Sequence, residues 1–229
     1  MNHKRILMVL TSNDRMGATG KPTGLWAEEL AVPYYALTGA GAQVTLASPR
    51  GGRAPIDPGS LKEKGQNDPA VERLLADAAL MAQVEATRPV ADVRMEDFDA
   101  VFFPGGHGTM WDLPTSDSVT RLVEAAARQH KLIAAVCHGV AGLVSAKGPD
   151  GRPLVAGKRV NSFTDAEEAQ AGLADAVPFL LESRLRELGA HFEGAPNWQP
   201  FALCDGRLIT GQNPQSSAAV ADLLLAALG

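Results

Sequence analysis

The chain is poor in cysteine. Only Cys137 and Cys204 occur in 229 residues, at a spacing that suits neither a disulfide framework nor a metal site, so a reducing compartment is expected, and with it a cytoplasmic location. Long apolar runs are missing too. Met-Asn-His-Lys-Arg at the N-terminus is followed by a short apolar stretch, Ile6 to Leu10, too brief for a signal-peptide core or a membrane span. Positive charge is in deficit: 21 Lys and Arg against 26 Asp and Glu leave a net charge of −5. Neither a nucleic acid nor an anionic membrane is expected as a partner. The glycine-rich stretches at 17–24 and 39–41 lack the Gly-x-Gly-x-x-Gly and Walker orders, so no nucleotide site is supported. His3, His107 and His130 show no metal-ligand spacing. Internal repeats and low-complexity tracts are absent.

What is present describes an ordinary globular protein, with 45% apolar and 21% charged residues. The length suffices for one α/β domain with a real core. Lys4 to Leu10 reads as a strand. A helix is expected from Leu25 towards Leu37, with Thr23 as N-cap and a kink or break near Val32 forced by Pro33. Ala42 to Ala47 reads as the second strand, which makes strand–helix–strand, the start of an open parallel sheet. Pro49 to Asp97 is long for a connection and is expected to act as a lid. Within it, Pro69 to Ala82 is expected as a single helix capped by Asp68. No linker divides the chain, so residues 1–229 are read as one domain. Further strands are expected at Ala100 to Phe103, Leu132 to Val136, Val160 to Phe163, Ala190 to Glu193 and Phe201 to Thr210. Helices are expected at Ser116 to Arg128, Asp165 to Ala171, Pro178 to Leu188 and Ser216 to Leu228.

The chain is organised around Leu132 to Leu143. A short apolar run ends abruptly at Cys137, and His138-Gly139 open a helix. A nucleophile at such a strand-to-helix turn stands above the sheet edge. A helix N-terminus there would favour the thiolate, moving a pKa of about 8.5 towards about 3.5–7.5. The plainer alternative is a buried cysteine that merely ends a strand. In open parallel sheets, ligands bind beyond the carboxyl ends of the strands. Thr11 to Gly24, Pro104 to Gly108 and the Cys137 turn should meet there.

Gly105-Gly106 either bring bare N–H groups to a substrate, forming an oxyanion hole with the His138 N–H, or simply serve a tight turn. His138 either shuttles protons or packs. His107 is expected to line the pocket. Glu28 and Glu29 lie about 100° apart around their helix. One can face solvent while the other faces the site, and a carboxyl held against a thiol in an apolar pocket would stay protonated. His191 and Glu193 share one face of a strand, as in the Cys-His-Glu triads of class I glutamine amidotransferases; the alternative is a surface pair. Cys204 reads as structural.

Four strings, taken together and in order, resemble the ThiJ/PfpI superfamily, of the class I glutamine amidotransferase-like fold. They are Thr23-Gly24-Leu25-Trp26-Ala27-Glu28-Glu29, Phe102-Phe103-Pro104-Gly105-Gly106-His107-Gly108-Thr109, Ala134-Ala135-Val136-Cys137-His138-Gly139 and Thr210-Gly211-Gln212-Asn213-Pro214-Gln215-Ser216. The likeness spans nearly the whole chain. Within the superfamily it is to the branch of holding chaperones and glutathione-independent glyoxalases (glyoxalase III). It implies a flavodoxin-like α/β sandwich: a mostly parallel central sheet, helices on both faces and a small cap at 49–97.

The resemblance also implies roles. Cys137 matches the nucleophile, His138 the proton-transfer residue and Glu29 the acid beside the thiol. Glu168, or else Glu167, matches the acid that orients the histidine. The N–H groups of Gly106 and His138 match the oxyanion donors, with Gly105 and His107 beside them in substrate binding. The metal ligands of larger members of the branch find no counterpart, so no metal and no cofactor are expected. The implied activity converts methylglyoxal or a related 2-oxoaldehyde to a 2-hydroxy acid through a cysteine hemithioacetal, in a homodimer. The alternatives are a stress-responsive holding chaperone, an oxidation sensor or a protein deglycase, and then a peptidase or glutaminase-type hydrolase.

Overall fold

The computed structural model describes residues 4–229, so the surface position expected for His3 lies outside the described residues. The chain begins with β1 (Arg5–Val9), α1 (Ala27–Gly39) and β2 (Gln43–Ser48). Next come α2 (Pro69–Ala76), α3 (Ala78–Glu85) and a two-residue edge strand, β3 (Arg88–Pro89). The middle of the chain supplies β4 (Ala100–Phe103), α4 (Thr109–Asp112), α5 (Asp117–Arg128) and β5 (Leu132–Val136). The last part holds β6 (Arg159–Val160), α6 (Asp165–Gln170), α7 (Leu181–Glu187), β7 (His191–Phe192), β8 (Ala202–Asp205), β9 (Leu208–Gly211) and α8 (Ser217–Leu228). Seven strands form one sheet in the order β3-β2-β1-β4-β5-β9-β8, parallel throughout except for the β8–β9 hairpin. β6 and β7 pair separately.

The period-2 alternation of the strands divides the core between two faces. Leu7, Val9, Val101, Phe103, Ile133 and Ala135 pack with Val119, Leu122, Val123 and Ala126 of α5. Ile6, Met8, Phe102, Ala134 and Val136 pack on the other face with Leu30 and Leu37 of α1 and Val220, Leu224 and Leu228 of α8. Helices therefore cover both faces, as an α/β sandwich requires. Every residue of β5 is buried, so its end is fixed from all sides.

Four local expectations change. Thr23 does not cap α1; its hydroxyl donates to Asp57 at 2.8 Å, and the helix begins at Ala27 without a side-chain cap. Pro33 does not break the helix, which runs to Gly39. The expected helix over 69–82 is two helices. Asp77 ends the first, and its carboxylate accepts from the Leu80 N–H at 3.0 Å to start the second. Of Val160 to Phe163 only Val160 is strand, joined by Arg159.

The segment 49–97 contributes an edge strand to the sheet and a wall to the site. The Leu25 N–H donates to Pro55 O at 2.8 Å and the Asp57 N–H to Leu25 O at 2.9 Å. That pairing draws Asp57 to Gly59 against the entrance to α1. Among the described residues no helix is long and apolar enough to cross a membrane.

Candidate active site

β5 ends at Val136 and the backbone reverses at Cys137, where φ is 56°. That left-handed conformation costs an L-residue about 1–2 kcal/mol, and it lifts the side chain off the strand line to the sheet's carboxyl edge. The turn continues as a 3-10 helix, Cys137–Leu143, with every residue buried. Gly139 lets it close: a Cβ there would lie 2.2 Å from Phe103 O. Gly106 is required for two reasons. Its φ is 102°, and a Cβ would meet Gly24 O and Trp26 N at 2.4 Å.

The two neighbours on the turn do face each other. Cys137 Sγ lies 3.3 Å from Nδ1 of His138. On the far side of the ring, Nε2 lies 2.6 Å from Glu168 Oε2. The other carboxylate oxygen, Oε1, lies 2.8 Å from Nε2 of His107. An ionised carboxylate only accepts, so both imidazoles present Nε2–H to it. Nδ1 of His138 is then a lone pair aimed at the sulfur. Burial pushes the His138 imidazole down to about 4, and the His107 ring adds to the effect. Burial alone would raise Glu168, but the two imidazoles outweigh it and hold the carboxyl down to about 2. One carboxylate between rings whose centroids are 4.0 Å apart balances at most one imidazolium.

Glu29 is fully buried while Glu28, next along the helix, stays partly exposed. Burial pushes Glu29 up to about 8, so it is neutral at pH 7. Its Oε2 accepts from the Gly105 N–H at 2.6 Å, and Oε1 is buried without a partner. The acidic proton therefore belongs on Oε1.

Two expectations are corrected here. Gly105 is not free for an oxyanion, because its N–H is committed to Glu29; the Gly106 N–H makes no hydrogen bond to the described protein atoms. Nor is the resting thiol acidified. Burial pushes it up, the Glu29 carboxylate adds to this when ionised, and the His138 N–H only partly offsets them. Desolvation of a cysteine that is 3% exposed outweighs the partial charge of a short 3-10 turn. Glu29 and Cys137 titrate as a coupled pair.

Glu167 and Glu168 part company at the start of α6. Thr164 forms a capping box with Glu167, which turns that carboxylate away from the histidines. It accepts from the Trp198 N–H at 2.8 Å, Gln212 Nε2 at 3.0 Å and Asn213 Nδ2 at 2.9 Å. Glu168 is thus the acid at His138. His191 and Glu193 lie elsewhere: His191 is exposed on the two-stranded sheet, and Glu193 binds Arg159 at 2.6 Å. They form a surface pair. Cys204 is exposed rather than part of the core.

His107, His138 and Glu168 also bring three potential ligand atoms within 4.8 Å of one another, a juxtaposition invisible in their sequence spacing. These atoms are already engaged in the two hydrogen bonds described, which a cation would have to displace.

Cys137, His138, His107 and Gly106 open onto a cavity of about 230 Å³. Its other walls include Met16 from the loop at 11–24, Trp26 from the first of the four strings and Asp57 from the 49–97 segment, together with Leu173 and Trp198, which carried no signal in the sequence. Of the residues around Glu167, Gln212 and Asn213 lie in the fourth of the strings, and Thr164-x-x-Glu167 has the spacing of a capping box.

An open, mostly parallel sheet with a cysteine turn at its carboxyl edge, backed by imidazole and carboxylate, defines a class of α/β proteins. Within that class, the chain belongs to the DJ-1/PfpI family, whose profile matches residues 23–227. It is 32% identical over 214 residues to the glutathione-independent glyoxalase hsp3101 of Schizosaccharomyces pombe, covering 89% of this chain and 86% of that one. It is similar in structure to glyoxalase III from Candida albicans, with a TM-score of 0.88 and 27% identity over 98% of this chain and 97% of that one. The Rapid Encystment Protein 24 kDa of Francisella tularensis matches with a TM-score of 0.94 and 38% identity over 99% of both chains.

Proposed function

We propose that the protein is a glutathione-independent glyoxalase that converts a small 2-oxoaldehyde, such as methylglyoxal, to the 2-hydroxy acid. One observation carries the reading. A buried thiol faces the free Nδ1 of a histidine whose other nitrogen is tied to a carboxylate, with a neutral carboxyl beside them. The similarity to proteins named glyoxalases supports it over most of the chain.

The steps follow from where the protons sit. His138 Nδ1 takes the thiol proton as sulfur bonds to the aldehyde carbon, and passes it to the aldehyde oxygen, leaving a hemithioacetal. Nδ1 then takes the hydrogen from that carbon, while the Glu29 Oε1–H protonates the neighbouring ketone oxygen, which gives an enediol. The imidazolium returns its proton to the former ketone carbon, and Glu29 recovers a proton from the other hydroxyl, leaving a thioester. Water adds with His138 as base and expels the thiol. The sum is one water consumed per 2-oxoaldehyde, with no external thiol. The N–H groups of Gly106 and His138 hold the oxyanion. Glu168 keeps His138 in the required tautomer, and His107 completes the carboxylate's second bond at the cavity wall. The homodimer is carried by the resemblance alone, and sedimentation of the purified chain checks it.

The test is lactate production from methylglyoxal without glutathione. Wild type should turn over, and Cys137→Ala should fall to background. Equal turnover by the two proteins would discard the proposal. A holding chaperone needs a broad exposed apolar surface, and among the described residues Leu75 is the one large hydrophobic side chain classed as exposed, at 41%.

A further inference from the structure

The cavity in front of Cys137 has two chemically distinct sets of lining residues. Cys137, His138, His107 and Gly106 are the reacting set. The rest of the lining includes Met16, Trp26, Phe163, Leu173, Trp198 and Pro214. Asp57 also reaches the wall, where Oδ1 accepts from the Gly59 N–H and Oδ2 from the Thr23 hydroxyl, each at 2.8 Å. A substituent that leaves the carbonyl carbons therefore meets mainly hydrocarbon and aromatic faces.

The aromatic part of the wall is built before a substrate arrives. The Trp198 backbone N–H is held by Glu167, and its indole N–H donates to Gln170 Oε1 at 2.9 Å. Gln170 Oε1 also accepts from Asn197 at 2.9 Å. The indole meets the Phe163 ring edge-on at 5.5 Å, and Phe163 lies 4.5 Å from the His138 ring. Size points the same way. An apolar cavity of about 150 Å³ accepts benzene; this one, at about 230 Å³, has room for a ring and two carbonyl carbons. Methylglyoxal leaves much of it unfilled.

We propose that the site is shaped for 2-oxoaldehydes with an apolar aryl or branched-alkyl substituent, and that Trp198 sets this preference. The proposal rests on the glyoxalase reading above. Each buried methylene is worth roughly fourfold in binding, so an aryl group should gain about tenfold or more over a methyl group, mainly through KM.

The experiment measures kcat and KM for glyoxal, methylglyoxal, phenylglyoxal and a hydroxymethyl-substituted 2-oxoaldehyde, with wild type, Trp198→Phe and Trp198→Ala. Circular dichroism confirms that each protein is folded. Wild type should prefer phenylglyoxal over methylglyoxal by about tenfold or more in kcat/KM, and disfavour the hydroxylated substrate. Trp198→Ala should erase most of that ratio, chiefly through a raised KM for phenylglyoxal, and Trp198→Phe should retain it. A wild type without aryl preference overturns the proposal and leaves the glyoxalase reading intact. So does a Trp198→Ala protein that loses all substrates equally, or one that will not fold paired with a Trp198→Phe protein whose ratio has collapsed. Absence of turnover with every 2-oxoaldehyde overturns both.

Discussion

Glu29 is the residue on which the proposed chemistry turns, and its proton can be followed directly. Burial raises it from its ordinary value near 4.5 to about 8, so the neutral acid is the resting form below that pH. His138, pushed down to about 4, is a neutral base above it. The dependence of kcat/KM on pH should therefore show a plateau between the two values, with an acid limb from His138 and an alkaline limb from Glu29. Glu29→Gln should lower kcat on the order of 10²-fold or more, because the amide cannot cycle a proton, and should remove the alkaline limb. The same variant has a stability signature with a definite sign. A carboxyl whose folded pKa is raised contributes fully below its unfolded value and loses that contribution as pH climbs towards the folded one. Thermal denaturation should show Glu29→Gln gaining on wild type between pH about 4.5 and about 8. The gain should be on the order of 5 kcal/mol by the upper end. A gap that does not change with pH would mean that Glu29 is ionised in the folded protein.

At the scale of the element, the strand-to-helix turn explains why Cys137 can be both buried and aimed at a cavity. The φ of 56° at Cys137 is strain that only a side chain there must bear. Cys137→Gly should therefore be more stable than Cys137→Ala by about 1 kcal/mol, although neither has a thiol. Urea denaturation of the two variants decides it; equal midpoints would show that the turn relaxes once the sulfur is gone. The same segment shows where element reading stops. Strand β5 was legible because a run of five apolar residues is too short for a buried helix and fits a strand buried on both faces. The division at Asp77 was not, since an aspartate within an apolar-periodic run is equally an exposed helix residue or the cap of a new helix. Pro33 gives no break for a related reason. Local sterics favour a break, but its helix is held by packing of Leu30, Ala31 and Leu37 on the sheet, and that outweighs one lost hydrogen bond.

Across the whole molecule, Glu167 joins distant parts of the chain. It ties the start of α6 to the Trp198 loop and to Gln212-Asn213 at the end of β9. Removing a fully buried acceptor leaves several donors without partners, each worth about 1–3 kcal/mol. Glu167→Ala should cost on the order of 3 kcal/mol or more in chemical denaturation. Glu167→Gln, which keeps an acceptor oxygen, should cost less. If the two variants match wild type, Glu167 is not the hub described here. The cavity itself is a product of this scale. Thr23–Leu25 pair with Pro55–Asp57, the Glu167 network sets Trp198, and the sheet edge carries Cys137.

Taken alone, the order of residues determined the alternation of strands and helices and the parallel sheet with its cysteine turn. Those follow from periodicity, turn chemistry and small residues at fixed spacings, all of which act over a few neighbours. The grouping of Glu29 with Cys137 and His138 came from the resemblance of the four strings to a family. Which of two adjacent glutamates meets the histidine, which glycine N–H is already spent, the joining of His107 to the same carboxylate, and the apolar wall from Met16 to Pro214 were decided only by the tertiary structure. Each depends on segments far apart in the chain arriving at one place. The protonation of the thiol belongs with them, because desolvation is a property of everything packed around the sulfur and not of the turn that presents it.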